Sequence, residues 1–458
     1  MRTKGIDPSE LARFVRANGA VRSRDVQDHF DVSQPTASRA LRELAARGEV
    51  VPMGATNNQV YVAHAPRPGV SSPVPIIRVD ESGAVHNFGD LVPTTSGQFW
   101  FSPAKGPGTL HGGLPWFITD MRPQGFMGRA FARQHPNLGL PPQLRHWTED
   151  QALTAMTAVG ADLPGNLVLG APAIDAFLQL QGAQGFRKVT SPDAYPALAD
   201  AAINGEEYGS SAGGEQPKFG VVRDGVHRLI KFSPSDNSAT SQRMRDLLVC
   251  EHLSGSVLDG VLGLRVARSS IHQEVGTRLL VKEAQNERIR LPGRLFLDVE
   301  RFDRTPSGRI GMVSLESFDS EFVGLLGDWA TSAKALAQRG HVSTEDAQRM
   351  ALLEAFGCLI ANTDRHFGNI SLLRESDRWV LAPVYDMLPM AYYPVNNELP
   401  DRDFDPGGLV ATASTHEVWS LARALATQFW VRVSEDTRIS AGFRAIAAEH
   451  HHSLSPSP

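Results

Sequence analysis

The segment Ala361–Ile370, with the sequence ANTDRHFGNI, combines residue types that could transfer a phosphoryl group. Asp364 and Asn369 are separated by four residues, which is the Asp-x-x-x-x-Asn spacing of a phosphotransfer loop. In such a loop the carboxylate accepts the proton of an attacking hydroxyl, and the asparagine oxygen is a hard, uncharged ligand for Mg²⁺. Asp386, which follows a predicted hairpin, could supply a second magnesium ligand. Each of these residues alone could be an ordinary surface side chain, so the interpretation rests on their order.

A glycine-rich segment lies upstream at Tyr208–Phe219, with the sequence YGSSAGGEQPKF. Because glycine has no Cβ, such a loop can bring backbone N–H groups close to phosphate oxygens. The segment is neither a Walker A loop nor a G-x-G-x-x-G motif, and a flexible surface turn is the alternative interpretation. The predicted nucleotide-binding residues of the loop are Gly209, Ser210, Ser211, Ala212, Gly213 and Gly214.

A strand hairpin is predicted directly after this loop, because an Asp-Gly turn separates the runs Phe219–Val222 and Val226–Phe232. Lys231 lies inside the second run. A lysine in an apolar strand needs a partner for its ammonium, and the order of loop, hairpin and lysine is that of protein kinases, where the lysine contacts nucleotide phosphates. The alternative is a strand-end lysine that extends its ammonium to water.

Together these motifs resemble those of the HipA-like serine/threonine kinases, the toxins of bacterial toxin–antitoxin modules, and in particular the subgroup typified by YjjJ. The resemblance extends over residues 75–430. It implies an α+β multidomain chain with a bilobal, protein-kinase-like fold and a mainly helical second lobe. The matching segments are SSAGGEQPK (Ser210–Lys218), LIKF (Leu229–Phe232), VERFDR (Val299–Arg304), NTDRHFGN (Asn362–Asn369) and VYDML (Val384–Leu388).

The resemblance also implies residue roles, with ATP and Mg²⁺ as cofactors. Asp364 would be the catalytic base, Asn369 and Asp386 would hold Mg²⁺, and Lys231 would contact the phosphates of ATP. His366 would lie beside the base and assist at the phosphate, with a structural histidine as the alternative.

Two further assignments concern the nucleotide site. Glu300, Arg301 and Phe302 would form the hinge between the lobes, where family members contact adenine; the alternative is a purely structural interlobe segment. Glu251 is a candidate for the helix acid that pairs with Lys231, although we favour a solvated helix acid at this position.

The family resemblance implies regulation as well, because a serine of the glycine-rich loop becomes autophosphorylated and the loop then leaves the site. Ser210 matches that position, and Ser211 is the second choice. A phosphate adds a charge of about −1.5 to −2 where the loop should hold the anionic phosphates of ATP, so like charges would oppose nucleotide binding. The alternative is a serine that only forms turn hydrogen bonds.

Residues 1–64 predict a winged helix-turn-helix, with three helices followed by the wing strands Val50–Met53 and Gln59–Val62. A helix of this width fits the major groove of DNA. The unit is only mildly basic, with nine Lys/Arg against seven Asp/Glu, so we expect modest and salt-sensitive DNA affinity. A protein-interaction module is the alternative. The predicted DNA-contacting residues of the third helix are Gln34, Thr36, Ser38, Arg39 and Arg42.

Length and composition limit the number of domains and the cellular compartments that the sequence predicts. The 458 residues carry a net charge of −5, so any nucleic-acid binding must come from a local patch. Two cysteines exclude a disulfide scaffold and fit a reducing, cytoplasmic location, and no apolar run approaches the ~18 residues of a membrane span. The predicted divisions are a winged helix at 1–64, a linker at 65–75, an N-terminal subdomain at 76–200, a kinase N-lobe at 201–304 and a helical C-lobe at 305–458.

Two predictions concern the C-terminal part. Ser343 should cap a long helix that buries Leu352, Leu353 and Phe356 on one face. The tail, Glu449–Pro458, should be frayed, with the three histidines from His450 onward solvated.

Three functions remain open from the sequence. The first is an ATP- and Mg²⁺-dependent protein kinase whose substrate is a protein, in relatives an aminoacyl-tRNA synthetase among others. The second is a DNA-binding transcriptional regulator with a nucleotide-binding but catalytically weak kinase-like body. The third is a small-molecule phosphotransferase. Because a winged helix is fused to the chain, a separate antitoxin is in doubt, and no membrane partner is expected.

Overall fold

The computed structural model describes residues 5–54, 59–94, 97–181, 187–205, 216–274, 279–282, 287–290, 293–325 and 327–455. The chain divides into two units, one built from the described residues up to 181 and the other from residue 187 onward. None of the helices in these ranges is long and apolar enough to cross a membrane.

The first unit begins with three helices and three short strands. The apolar spacing of the third helix places Ala37, Leu41 and Leu44 in a core where each is at most 1% exposed. The strands form one antiparallel sheet in the order β1-β3-β2, of which β1 is too short for the sequence pattern to indicate. The elements are α1 (Pro8–Asn18), β1 (Ala20–Arg22), α2 (Ser23–Phe30), α3 (Gln34–Ala46), β2 (Val50–Met53) and β3 (Val60–Ala63).

A five-stranded antiparallel sheet with helices completes the first unit, in the order β7-β6-β5-β4-β8. Val60 and Val62 of β3 pack against Val92 of β5, so an apolar contact joins the two sheets. The elements are β4 (Val74–Val79), β5 (Val85–Pro93), β6 (Phe99–Pro103), β7 (Thr109–His111), α4 (Trp116–Thr119), α5 (Gly125–Gln134), α6 (Glu149–Val159), β8 (Leu167–Leu169) and α7 (Ala171–Gln179).

The proline-rich segment 65–75 is hydrogen-bonded to this sheet domain. The backbone N–H of Ala65 donates to the carbonyl of Pro93. The guanidinium of Arg67 donates to the carbonyl of Thr94 at 3.0 Å and pairs with Asp150 at 2.7 Å. The composition of the segment predicts a linker, whereas these contacts depend on residues 27 and 83 positions away and cannot be read from local sequence.

The second unit opens with α8 (Tyr195–Asn204) and a four-stranded antiparallel sheet in the order β11-β14-β10-β9. The predicted hairpin is confirmed, and in it Lys231 lies opposite Lys218. The remaining elements are β9 (Lys218–Arg223), β10 (Val226–Phe232), α9 (Ala239–Leu258), β11 (Ser269–Gln273), β14 (Leu295–Glu300) and the separate hairpin of β12 (Leu279–Lys282) and β13 (Glu287–Arg290).

A mainly helical region follows, with one small sheet in the order β15-β16-β17. The long helix α12 begins as predicted, because the Ser343 hydroxyl accepts the backbone N–H of Asp346 at 3.0 Å. Its Leu352, Leu353 and Phe356 are at most 2% exposed. The elements are β15 (Gly311–Ser314), α10 (Leu315–Phe322), α11 (Trp329–Gln338), α12 (Thr344–Leu359), β16 (Ser371–Glu375), β17 (Arg378–Leu381), α13 (Trp419–Glu435) and α14 (Ala441–Leu454).

The prediction of a frayed tail is wrong for residues 449–454, which are part of α14, while residues 456–458 lie outside the described residues. The prediction of solvated histidines is also wrong for His450, which is 6% exposed and shares a 2.5 Å hydrogen bond between its Nε2 and the hydroxyl of Tyr392. Burial lowers the pKa of His450 to about 4. Its neighbour His452 is exposed. Only the packing of α14 against Tyr392 and Trp430 distinguishes one histidine of the run from the next.

Candidate phosphotransfer site

The loop that carries Asp364 begins where α12 ends. Ala361 has a φ of 59°, a left-handed conformation that turns the chain sharply away from the helix axis. Asn362 is 1% exposed, and its backbone N–H donates to the carbonyl of Gly357 at 2.9 Å. Its side-chain oxygen accepts the backbone N–H of Asp364 at 3.0 Å. The buried asparagine therefore fixes the backbone from which the Asp364 side chain extends.

Asp364 and Asn369, which the sequence places five residues apart, are in direct contact. The Asn369 amide donates to Asp364 Oδ2 at 3.0 Å and to the Asp364 carbonyl at 2.9 Å. The bond to the carboxylate orients it, while the Asp364 side chain remains 48% exposed. Because Nδ2 makes both bonds, the side-chain oxygen of Asn369 is the atom that could bind a cation.

His366 lies beside the carboxylate on the same loop. Its Nδ1 accepts the backbone N–H of Gly368 at 3.0 Å, so a neutral ring carries its proton on Nε2. Nε2 lies 3.9 Å from Asp364 Oδ1. A Cβ on Gly368 would lie 2.9 Å from this ring, so the turn requires glycine there. His366 therefore lies close to Asp364 Oδ1 without a hydrogen bond between the two side chains.

Lys231 is the centre of a second cluster, in which it contacts two carboxylates. Its ammonium donates to Glu251 Oε1 at 2.7 Å and to Asp386 Oδ1. The side chains of Lys231 and Glu251 are 6% and 9% exposed. Glu251 is therefore not the solvated helix acid that we favoured, because α9 packs this side chain toward strand β10 rather than toward water.

Asp386 occupies an unusual backbone conformation, with a φ of 52°. Positive φ is uncommon for residues other than glycine and is concentrated at functional sites. The backbone N–H of Asp386 donates to Glu251 Oε1 at 3.3 Å, so the same carboxylate that holds Lys231 also holds this strained residue. Glu251 thereby couples the strand lysine to the predicted magnesium ligand.

Lys218 is a residue that sequence reasoning did not single out. It lies opposite Lys231 in the β9–β10 pair and is 2% exposed. Burial and the nearby Lys231 cation lower the pKa of Lys218 to about 7. Its position at the end of the glycine-rich motif is the signal that could have identified it.

The predicted hinge residues lie at the end of β14. The N–H of Glu300 donates to the carbonyl of Arg268, and that of Arg301 donates to the carbonyl of His227. Arg228 bridges the carboxylate of Glu300 at 3.2 Å and the fully buried Asp298 at 3.1 Å. These contacts hold the segment by its backbone and its side chains.

Phe302 connects this segment to the region of Asp386. Its ring centroid lies 5.4 Å from that of Tyr385, the residue before Asp386. The Tyr385 hydroxyl donates to the carbonyl of Gly368 at 3.2 Å and shares a 2.7 Å hydrogen bond with Ser371. Phe302, Asp386 and the Asp364 loop are thus joined through one tyrosine.

The glycine-rich loop residues Gly209, Ser210, Ser211, Ala212, Gly213 and Gly214 lie outside the described residues.

The predicted DNA-contacting residues lie on α3 of the first unit. Gln34, Arg39 and Arg42 are exposed, whereas Thr36 and Ser38 are half-buried. The Ser38 hydroxyl is hydrogen-bonded to the Ser23 hydroxyl at 3.1 Å and accepts from the Gln34 side chain at 3.2 Å. Ser38 therefore links α3 to α2 and is hydrogen-bonded within the protein.

The donor set fits Mg²⁺ by its chemistry. Asp386 offers a carboxylate and Asn369 a side-chain oxygen, and Mg²⁺ in nucleotide sites takes one or two carboxylates together with substrate phosphates and water. Within the described residues, no group of three or more His, Cys, Asp and Glu side chains forms an all-protein metal cluster.

The chain is similar to known proteins in sequence. Residues 70–178 match the family model of the YjjJ-like toxin middle domain, and residues 210–451 match that of the HipA-like C-terminal domain. The chain is 34% identical over 433 residues to Toxin YjjJ of Escherichia coli (strain K12), which covers 93% of each sequence.

A solved structure with a TM-score of 0.50 is similar at the level of the fold. A chain of the Shewanella oneidensis MR-1 complex of HipA, HipB and operator DNA superposes with a TM-score of 0.50 and 16% identity, over 82% of this chain and 95% of that one. The Helicobacter pylori proinflammatory kinase CtkA aligns with a TM-score of 0.33 and 12% identity, over 53% and 87% of the two chains.

Proposed function

The chain belongs to the YjjJ-like subgroup of the HipA-like toxin family, and from this membership we propose that it is an ATP- and Mg²⁺-dependent serine/threonine protein kinase. The observation that carries the proposal is that two clusters of polar residues lie in the second unit of the chain. Asp364 is oriented by Asn369, and Lys231 is held between Glu251 and Asp386. A kinase needs a base, a phosphate-binding lysine and magnesium ligands, and the two clusters supply all three.

In the proposed reaction the acceptor is a serine or threonine hydroxyl. Its oxygen forms a bond to the γ-phosphorus as the bond from that phosphorus to the ADP oxygen breaks, and its proton passes to Asp364. The bonds from Asn369 hold the Asp364 carboxylate toward the incoming hydroxyl. Lys231 offers positive charge to the phosphates, for which it exchanges its contact with Asp386. Mg²⁺ held by Asn369 and Asp386 would neutralise charge on the phosphates.

The adenine would lie against Glu300, Arg301 and Phe302. The N–H groups of Glu300 and Arg301 already donate to the carbonyls of Arg268 and His227, so adenine would have to use other polar groups of this segment. Phosphorylation of Ser210, or of Ser211, would oppose ATP binding by like charge. This switch rests on the family resemblance, since both serines lie outside the described residues.

DNA binding by residues 1–64 is the second part of the proposal. The element order helix, strand, helix, helix, strand, strand supports a winged helix, and α3 exposes Gln34, Arg39 and Arg42. The HipA of the similar structure was solved together with HipB and operator DNA. For this chain a separate antitoxin and a protein substrate such as an aminoacyl-tRNA synthetase remain proposals from the family.

Mass spectrometry of the protein after incubation with ATP and Mg²⁺ tests the kinase proposal, with Asp364→Ala as the control. The proposal predicts an added phosphate on Ser210 or Ser211 in the unaltered chain only. If the unaltered chain binds ATP but acquires no phosphate and labels no protein in a cell extract, the DNA-binding regulator becomes the better account. Phosphate transfer by Asp364→Ala at the normal rate would remove Asp364 from the role of base.

A further inference from the structure

Glu354 is a buried carboxylate that none of the roles above uses. It lies on α12 and is 6% exposed. A buried carboxylate is costly unless it is paired and hydrogen-bonded, so its partners indicate what it does. Its oxygens accept bonds from three residues: the thiol of Cys358, one turn along the same helix, and two residues from other segments, Trp329 and Arg365.

The first contact holds the Asp364 loop from one side. Arg365 Nε donates to Glu354 Oε1 at 2.9 Å. The same guanidinium donates through Nη1 to the carbonyl of Asn362, two residues before Asp364. The carboxylate therefore fixes a guanidinium that in turn fixes the start of the loop.

The second contact holds the loop from the other side. The backbone N–H of Trp329 donates to Glu354 Oε2 at 3.3 Å. The indole Nε1 of the same tryptophan, which is 2% exposed, donates to the carbonyl of His366 at 3.1 Å, two residues after Asp364. One carboxylate thus reaches both flanks of Asp364.

Gly357 shows how closely this arrangement is packed. A Cβ at Gly357 would lie 2.5 Å from Cδ of Arg365. Arg365 therefore crosses α12 at a position where only a glycine leaves room for its side chain, one turn from Glu354.

We propose that Glu354 is a positioning residue for the catalytic loop, which holds Asp364 through Arg365 and Trp329 without touching the substrate. The inference rests on the kinase proposal for its effect on rate, but the loop contacts themselves can be tested without activity. Glu354 accepts hydrogen bonds from residues that hold both flanks of the proposed base. Loss of its carboxylate should therefore slow phosphate transfer and leave the affinity for ATP unchanged.

The test variant is Glu354→Gln in the full chain. A glutamine has one acceptor oxygen, so its NH₂ must face either the Arg365 or the Trp329 donor. The matched control is Glu345→Gln, which removes an exposed charge from the same helix. Gly357→Ala is a second variant that displaces Arg365 while it keeps the Glu354 charge.

Two measurements are made on each variant. Hydrogen exchange is followed by mass spectrometry on peptides that cover 361–370 and α9. We expect at least tenfold faster exchange at 361–370 in Glu354→Gln and Gly357→Ala, with α9 unchanged. The phosphorylation rate at saturating ATP should fall by about 10²-fold, which is the effect expected when a reacting group is misplaced. The dissociation constant of ATP should stay within about twofold of that of the unaltered chain. Glu345→Gln should match the unaltered chain.

Unchanged exchange at 361–370 in both variants would overturn the positioning role, as would a loss of ATP affinity equal to the loss of rate. If exchange accelerates as expected in a chain that never transfers phosphate, the loop contacts stand and the kinase proposal fails. The double variant Glu354→Gln, Arg365→Gln should lose less rate than the two single losses combined, because both substitutions break the same Glu354–Arg365 contact. Fully additive losses would contradict action through Arg365.

Discussion

Oε1 of Glu251 lies 2.7 Å from the ammonium of Lys231 and 3.3 Å from the backbone nitrogen of Asp386. A single buried oxygen therefore sets the position of the strand lysine and of the residue predicted to bind magnesium. Lys231 also contacts Asp386 directly, so the lysine, Glu251 and Asp386 form one connected cluster.

Glu251→Gln should weaken ATP binding on the order of tenfold, because a hydrogen bond to a charged group contributes about 1.5–3 kcal/mol. Without Glu251, the ammonium of Lys231 keeps Asp386 as its remaining carboxylate and releases it less readily. Isothermal titration with ATP and Mg²⁺ measures the change. The exposed Glu435→Gln is the matched control, and an unchanged affinity in Glu251→Gln would contradict the coupling.

Asp364→Asn and Asp386→Asn should separate chemistry from binding. Asp364→Asn should lower the transfer rate by about 10²–10⁴-fold, the range for a lost general base, with ATP affinity retained. Asp386→Asn should weaken ATP binding in the presence of Mg²⁺ and have less effect without it. Phosphate-transfer assays measure the rate, and ATP titrations with and without Mg²⁺ measure the affinity. Equal loss of ATP affinity in the two variants would refute the division of roles.

The burial of His450 predicts that the free energy of unfolding depends on pH. Its folded pKa of about 4 lies below the ordinary value of 6.5, so the unfolded state binds more protons between these values. Stability is therefore complete above pH 6.5 and falls as the pH drops toward 4. The loss between pH 7.5 and 5 should be about 2 kcal/mol from this group.

Urea denaturation at the two pH values measures that loss. His450→Gln should flatten the difference by most of this amount, even if the variant is less stable at pH 7.5. His452→Gln, at an exposed position of the same helix, is the control. Equal pH dependence in the His450 variant and the unaltered chain would show that other groups carry the effect.

Arg39→Ala together with Arg42→Ala should weaken DNA binding and flatten its salt dependence. Each lost phosphate contact reduces the slope of log affinity against log salt by about 0.9, so the double variant should lose up to about 2. Fluorescence anisotropy with duplex DNA over a salt series measures the slope. Arg13→Ala together with Arg24→Ala, two exposed arginines of α1 and α2, is the control. An unchanged slope in the α3 variant would exclude α3 as the DNA-contacting helix.

Local sequence was sufficient for features whose signals are local. The Asp-Gly turn between alternating runs predicted the β9–β10 hairpin, and Ser343 predicted the start of α12, because turn chemistry and helix capping act over three or four residues. The spacing of Asp364 and Asn369 likewise brought two site residues into contact on one short loop.

Contacts between distant segments were decided only by the tertiary structure. Glu251 and Lys231 are 20 residues apart, and Lys231 and Asp386 are 155 apart. Neither the pairing of Glu251 nor the burial of His450 has a signature in its neighbours, because a helix acid or a tail histidine has the same local sequence whether its face meets water or a core. The packing of α9 on β10 and of α14 on Tyr392 determines the environment, and the environment determines the chemistry of each side chain.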